Sequence, residues 1–195
     1  MRIVQKFGGT SVGSIERIQE TAKIVCKELS NGSEVAVVVS AMSGETNRLL
    51  GLANDMCDCP APREVDALVA TGEQVTAALL AIELNKLGVK AYSFSGAQAG
   101  FKTEGSHSRA RISGVSGDHL IKHMQQGEVP VVTGFQGVDV DGSITTLGRG
   151  GSDTSAVALA IAVDADSCDI YTDVDGVYTT DPRVEPKARK INHIS

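Results

Sequence analysis

The chain has 195 residues, 42% of them hydrophobic and 22% charged. That is the make-up of one soluble globular domain whose core needs no disulfide or metal staple. With 18 Lys and Arg against 24 Asp and Glu, a net charge of −6, 4% aromatics and no Trp, the chain offers neither a cationic phosphate-binding face nor a base-stacking platform, and nucleic acid is not expected as a partner.

Residues 3–6 read as a first strand. Ile15, Ile18, Ala22, Val25 and Leu29 then recur at the three- and four-residue spacing of a helix face, and Asn31-Gly32 stops that helix. Residues 34–40 carry the Val-rich run of a buried strand. Pro60 and Pro62 break a loop before a long helix lined by Val65, Leu68, Val69, Val75, Leu79 and Ile82 and closed by Gly88. Residues 91–95 predict a short strand, and residues 102–116, where Ser, Gly, His and Arg interleave, predict a mobile surface loop. A helix over 119–126 and a strand over 129–133 follow. Asp141-Gly142 then joins a hairpin of 135–138 with 144–146. An Ala-rich helix over 152–163, a strand over 167–171 and a turn-rich segment to Pro186 complete the pattern. Apolar runs alternating with helices predict an α/β fold with a mainly parallel sheet.

Cys26 and Cys168 sit in apolar periodic segments and read as small core residues, while the Cys57-x-Cys59 pair beside prolines reads as a loop. His119 and His123 share a helical spacing, but without a third ligand they read as a solvated face, and no metal site is expected in the side chains. The first residues enter strand-like sequence without the apolar stretch of a signal peptide. No run approaches the ~18 apolar residues of a membrane span. A reduced, cytoplasmic setting with no membrane partner is expected.

The informative part of the 21 glycines lies at strand-to-helix junctions. Lys6-Phe7-Gly8-Gly9-Thr10-Ser11-Val12-Gly13 joins the first strand to the first helix. There bare backbone and a helix start favour an anion, and Lys6 can reach it as a point charge. The order of a Walker A loop is absent. Gly148-Arg149-Gly150-Gly151-Ser152-Asp153 repeats the arrangement before a later helix, with a guanidinium and an acid. The stretches 40–44 and 134–137 also follow strands. In an open α/β sheet, four such loops line one rim at the carboxyl ends of the strands.

These blocks resemble the aspartate kinases of the amino acid kinase superfamily. The similarity runs from Lys6-Phe7-Gly8-Gly9-Thr10-Ser11 through 39–47, Thr71-Gly72-Glu73-Gln74 and 145–153 to Tyr171-Thr172-Asp173 and the stretch ending Tyr178-Thr179-Thr180-Asp181-Pro182-Arg183. It implies an αβα sandwich and transfer of the ATP γ-phosphoryl group to the side-chain carboxylate of L-aspartate, on the route to lysine, threonine and methionine. The glutamate and acetylglutamate kinases are sibling readings, and the 40–47 and 71–74 blocks point to aspartate. A binding or assembly module of the same fold that does not turn over is the other class of reading.

By the resemblance, Lys6 bridges the ATP phosphates, with Phe7, Gly8 and Gly9 beside it, and Asp153 orients Lys6 and the reacting centre. Arg149 would grip the α-carboxylate of aspartate and Glu73 its ammonium, with Ser40, Thr46, Gly150, Gly151 and Ser152 as further donors. Thr172, Asp173, Tyr178, Asp181 and Arg183 match the segment that lines the nucleotide, which would arrive with Mg²⁺ held mainly by phosphate oxygens. Residues 1–195 correspond to part of a kinase catalytic domain, without the regulatory ACT modules that follow it in the family. A homo-oligomer, or assembly with a chain carrying the regulatory part, is the expected partnership.

Overall fold

A computed structural model describes residues 1–148, 150–173, 176–180, 184–185 and 187–191, with the backbone alone at Val177 and Tyr178. Strand β1 (Arg2–Phe7) leads into helix α1 (Ile15–Ser30), whose first turn is capped by the Ser14 hydroxyl accepting from the Arg17 amide. Strand β2 (Glu34–Val39) is followed by helices α2 (Glu45–Met56) and α3 (Pro62–Lys86), then strands β3 (Ala91–Phe94), β4 (Phe101–Glu104) and β5 (Arg111–Val115). Helix α4 (Asp118–Gln125), strands β6 (Val129–Thr133), β7 (Gln136–Val138) and β8 (Ile144–Thr146), helix α5 (Gly151–Ala162) and strand β9 (Ser167–Tyr171) come next. The two-residue strands β10 (Val177–Tyr178) and β11 (Lys190–Ile191) pair with each other.

The main sheet runs β3-β6-β2-β1-β9, and all its pairings are parallel. Because side chains alternate across a strand, β1 and β2 feed both faces. Phe7, Val35, Val37 and Val39 pack against Ile18, Ala22 and Val25 of α1 and Ala77, Leu80 and Leu84 of α3. Val4, Ala36 and Val38 pack against Leu120 and Met124 of α4 and Ala156 and Leu159 of α5. This is the three-layer αβα sandwich that the resemblance implied, built on the mainly parallel sheet that the alternating pattern predicted. A second, mixed sheet, β5-β4-β7-β8, stands beside it. Its β7-β8 hairpin turns where Asp141-Gly142 predicted, and Asp139 Oδ1 accepts from the amides of Asp141 and Ser143.

Several expectations are corrected. Residues 102–116 are no loop: β4 and β5 form an antiparallel pair with an irregularity between Lys102 and Thr103. The polar residues are the outer side of that pair, while Phe101 and Thr103 point inward and Thr103 Oγ1 meets Thr145 Oγ1 at 2.6 Å. Helix α2 was not anticipated, because Leu49 is its one buried residue and its polar sequence shows no broad apolar stripe.

In α3, Val75 and Ile82 are 50% and 64% exposed, and the inward stripe is instead Asp66, Val69, Ala70, Glu73, Thr76, Ala77, Leu80 and Leu84. The helix is apolar on most sides, so periodicity found Val69, which is buried, and Leu79, which packs against the core, but set the exposed Val75 and Ile82 on the same face. With 25 residues, α3 is long and apolar enough to cross a membrane on length and composition, yet half of that apolar stretch is buried inside the fold. His119 and His123 are half-buried rather than solvated. Their rings pack against Phe94, and His123 Nδ1 lies 2.7 Å from Glu128 Oε2. Cys57 and Cys59 are free and exposed, as a loop pair would be, while Cys26 and Cys168 border the two cores.

Candidate active site

Parallel strands that all point one way deliver their connecting loops to one rim. There Lys6, Ser40, Ala41, Thr46, Glu73, Phe135, Gly148, Gly150, Gly151, Ser152 and Asp153 enclose a cavity of about 230 Å³. Lys6 and Asp153, Glu73, Ser40 and Thr46, and Gly150 to Ser152 are thus brought together from four separate stretches of chain, as expected.

Lys6 projects from the penultimate position of β1 and is buried, and its Nζ lies 2.6 Å from Oδ1 of Asp153. The Asp153 side chain is 50% exposed, although that oxygen itself is shielded from solvent. Its place in the first turn of α5 also sets it in the positive potential of the helix start. Helix α5 begins at Gly150, whose φ of +78° favours glycine, and no side chain caps it. Helix α2, which carries Thr46 in its first turn, likewise starts at a glycine, Gly44, without a side-chain cap.

Glu73 is 3% exposed. A solvated helix face is therefore excluded. Oε1 accepts from the Ala41 amide at 3.0 Å, whereas Oε2 has no partner among the described residues. Burial pushes its pKa up to about 7, against the opposing pull of the Ala41 amide. A buried carboxyl with one open oxygen is a receptor for a cation. Gly72 lets α3 come close enough to present it, because a Cβ there would lie 2.9 Å from Cβ of Ala41.

The nucleotide residues divide. The Gly8 amide donates to Tyr171 O at 3.1 Å and is not available to a phosphate, while the Gly9 amide has no partner among the described residues. The Phe7 ring is in the core, stacked on Tyr171 at 4.6 Å, so only its backbone faces the loop. Thr172 and Asp173 are exposed just past β9, and Thr172 Oγ1 donates to Asp173 Oδ1 at 3.2 Å. Arg149, Asp181, Arg183 and the Tyr178 side chain lie outside the described residues.

Phe135, from the 134–137 stretch expected at the rim, is a wall of the cavity although no motif singled out that residue. Its φ of +69° is rare for a non-glycine residue, and it is held there by its amide donating to Ser155 Oγ at 3.0 Å and its carbonyl accepting from Leu147 at 2.9 Å. The Gly134 before it was the available signal, since a loop after a buried strand can carry such a conformation.

Glycine-started helices at the rim, a buried lysine paired with an acid and a buried carboxyl lining the same space make a site that could take an anion at one part and a cation at another. The chain matches the amino acid kinase family over residues 1–195 and belongs to it. It is 59% identical to the aspartokinase of Pseudomonas aeruginosa over 193 residues, which is 99% of this chain and 47% of that one. It thus spans about half the length of the curated relatives it matches. Its fold superimposes on E. coli aspartokinase III in complex with aspartate and ADP (TM-score 0.83, 30% identity, 98% of this chain and 53% of that one). It also superimposes on aspartate kinase from Synechocystis (TM-score 0.79, 48% identity, 96% of this chain and 31% of that one).

Proposed function

We propose that the chain is part of the catalytic domain of an aspartate kinase. One observation carries the reading: the Lys6–Asp153 pair lines the same cavity as Glu73, a buried carboxyl with one oxygen that has no partner among the described residues. The similarity to aspartokinases, and to one solved with aspartate and ADP, supports the same substrates here.

A carboxylate acceptor is already ionised near neutral pH, so the reaction needs no general base, and among the described residues no histidine lines the cavity. The acceptor oxygen attacks the γ-phosphorus of ATP, the bond from that phosphorus to the β–γ bridging oxygen breaks, and ADP leaves with the electron pair. No proton moves.

What remains for the protein is alignment and neutralisation of charge. Lys6, desolvated except toward the cavity, supplies a cation to the moving group, and Asp153 fixes its ammonium. Glu73 takes the substrate ammonium with the oxygen that has no partner, and Arg149 the α-carboxylate. Ser40, Thr46 and the first turn of α5 supply further donors.

Among the described residues no three His, Cys, Asp or Glu side chains converge on a point. This suits a Mg²⁺ held mainly by phosphate oxygens, with Asp153 the acid nearest to hand; when bound it would neutralise phosphate charge. The test is ADP release with ATP, Mg²⁺ and L-aspartate together with trapping of the acyl phosphate by hydroxylamine. The reading expects hydroxamate that depends on L-aspartate, and ATP hydrolysis without hydroxamate would contradict it.

A further inference from the structure

Asp66 lies fully buried on α3, away from the Lys6–Asp153 pair, and no step of the transfer uses it. Its carboxylate gathers donors from two distant stretches. Oδ1 accepts from Thr146 Oγ1 at 2.6 Å and Ser108 Oγ at 3.1 Å. Oδ2 accepts from the amides of Thr146 at 3.0 Å and Ser108 at 2.9 Å, and faces His107 Nδ1 at 2.9 Å. Ser108 holds a φ of +65° to make these bonds.

We infer that Asp66 is a positioning residue for the acceptor site, holding Gly148 and, through α5, Gly150 to Ser152 at a fixed distance from Glu73; the inference rests on the aspartate-clamp reading above. Asp66 and Glu73 are seven residues apart, two turns along the same inward side of α3, so one rigid helix carries both. Thr146 is the last residue of β8, two before Gly148, where the chain enters the cavity wall. The bond from the Leu147 amide to Phe135 O and that from the Phe135 amide to Ser155 Oγ continue the connection into α5.

An anchor is needed because the loop has room to move. A second cavity of about 360 Å³ lies behind it, lined in part by Leu50, Val65, Val69 and Leu147, and shares Thr46, Phe135 and Gly148 with the first. Without the Asp66 bonds, β8 and Gly148 could settle into that space and draw the start of α5 away from Glu73. A displacement near 1 Å is enough to cost much of a clamp's effect.

The test uses the protein as the cell makes it and compares Asp66→Ala, Asp66→Asn and Thr146→Val, with Glu73→Gln as control. Asp66→Ala is expected to raise the KM for L-aspartate about tenfold and leave that for ATP within about twofold, the loss of several charge-assisted bonds at one end only. Asp66→Asn should recover most of this, since its oxygen can take the two amides while its NH₂ donates to the hydroxyls. If Asp66→Ala does not fold, Thr146→Val removes one bond in a near-isosteric way and should raise the aspartate KM about threefold. Amide exchange should speed up at 107–108 and 146–152 and stay unchanged at Ala41. Equal shifts in both KM values, or no change in either, would overturn the inference. A Glu73→Gln variant with unaltered aspartate KM would instead sink the clamp reading, and exchange at 146–152 would still tell whether Asp66 anchors the loop.

Discussion

Lys6 at the end of β1 and Asp153 in the first turn of α5 meet at 2.6 Å, joining an inner strand of the sheet to a helix packed on the face that Val4 feeds. The pair sets a buried cation in the lining of the same cavity that buried Glu73 lines. Replacing Lys6 with Met is expected to lower kcat by about a hundredfold or more, the scale of removing one placed donor to developing charge. Asp153→Asn should lower kcat as well while moving the melting temperature little, because its carboxylate is half exposed. Steady-state rates beside thermal melts separate the two effects.

Glu73 makes the unliganded fold pH-dependent. Its folded pKa, about 7, stands above the ordinary value of 4.5, so the neutral form is the one the fold favours. The stability linked to this group is therefore full below about pH 4.5 and is lost as pH rises through 7, by roughly 3 kcal/mol in all. Glu73→Gln should raise the melting temperature by a few degrees at pH 8.5 and give no gain at pH 5. Part of the gain is offset by an unpaired amide at the Oε2 position. Melts at the two pH values read it directly.

The same group should tie substrate affinity to pH in the opposite direction. A substrate ammonium binds the ionised carboxyl, so L-aspartate should bind more tightly as pH rises toward 7 and level off above it. Below that point the slope is about tenfold per unit. Titrations from pH 5.5 to 8.5 check the sign, and Glu73→Gln should flatten the curve.

Gly72→Ala should destabilise despite adding helix propensity. The new methyl would sit 2.9 Å from Cβ of Ala41, and α3 or the loop after β2 must yield. Overpacking of this kind costs about 1–3 kcal/mol, against roughly 1 kcal/mol of propensity gained. Because Ala41 also donates the amide that holds Glu73, aspartate affinity should fall with stability, as melting and binding curves on the variant would show.

The parallel sheet, its helices and the rim were legible because each rests on a local signal: Val-rich runs for β1 and β2, and glycine with a cation at the two loops that meet in the cavity. What escaped depends on distant partners. Lys102 to Ser116 looked like a loop because its polar residues face outward from a two-stranded pair, and its turn is fixed by Asp66, some 40 residues away (about 41–42 by the separations to His107 and Ser108). The inner face of α3 was misread because Asp66 and Glu73 lie on it, and a rule that counts apolar residues passes over a stripe holding two acids. The Gly8 amide was assigned to a phosphate because no local signal reveals that Tyr171, on the neighbouring strand, already takes it.

The central claim is that the cavity at Lys6, Glu73 and Asp153 transfers phosphate to the side chain of L-aspartate. Its most direct measurement is ADP release with ATP and Mg²⁺, comparing L-aspartate, L-glutamate and no acceptor, in the native protein and in Lys6→Ala. The account predicts turnover with L-aspartate that far exceeds that with L-glutamate and collapses in Lys6→Ala. Equal turnover with both acids, or activity that survives the loss of Lys6, would contradict it.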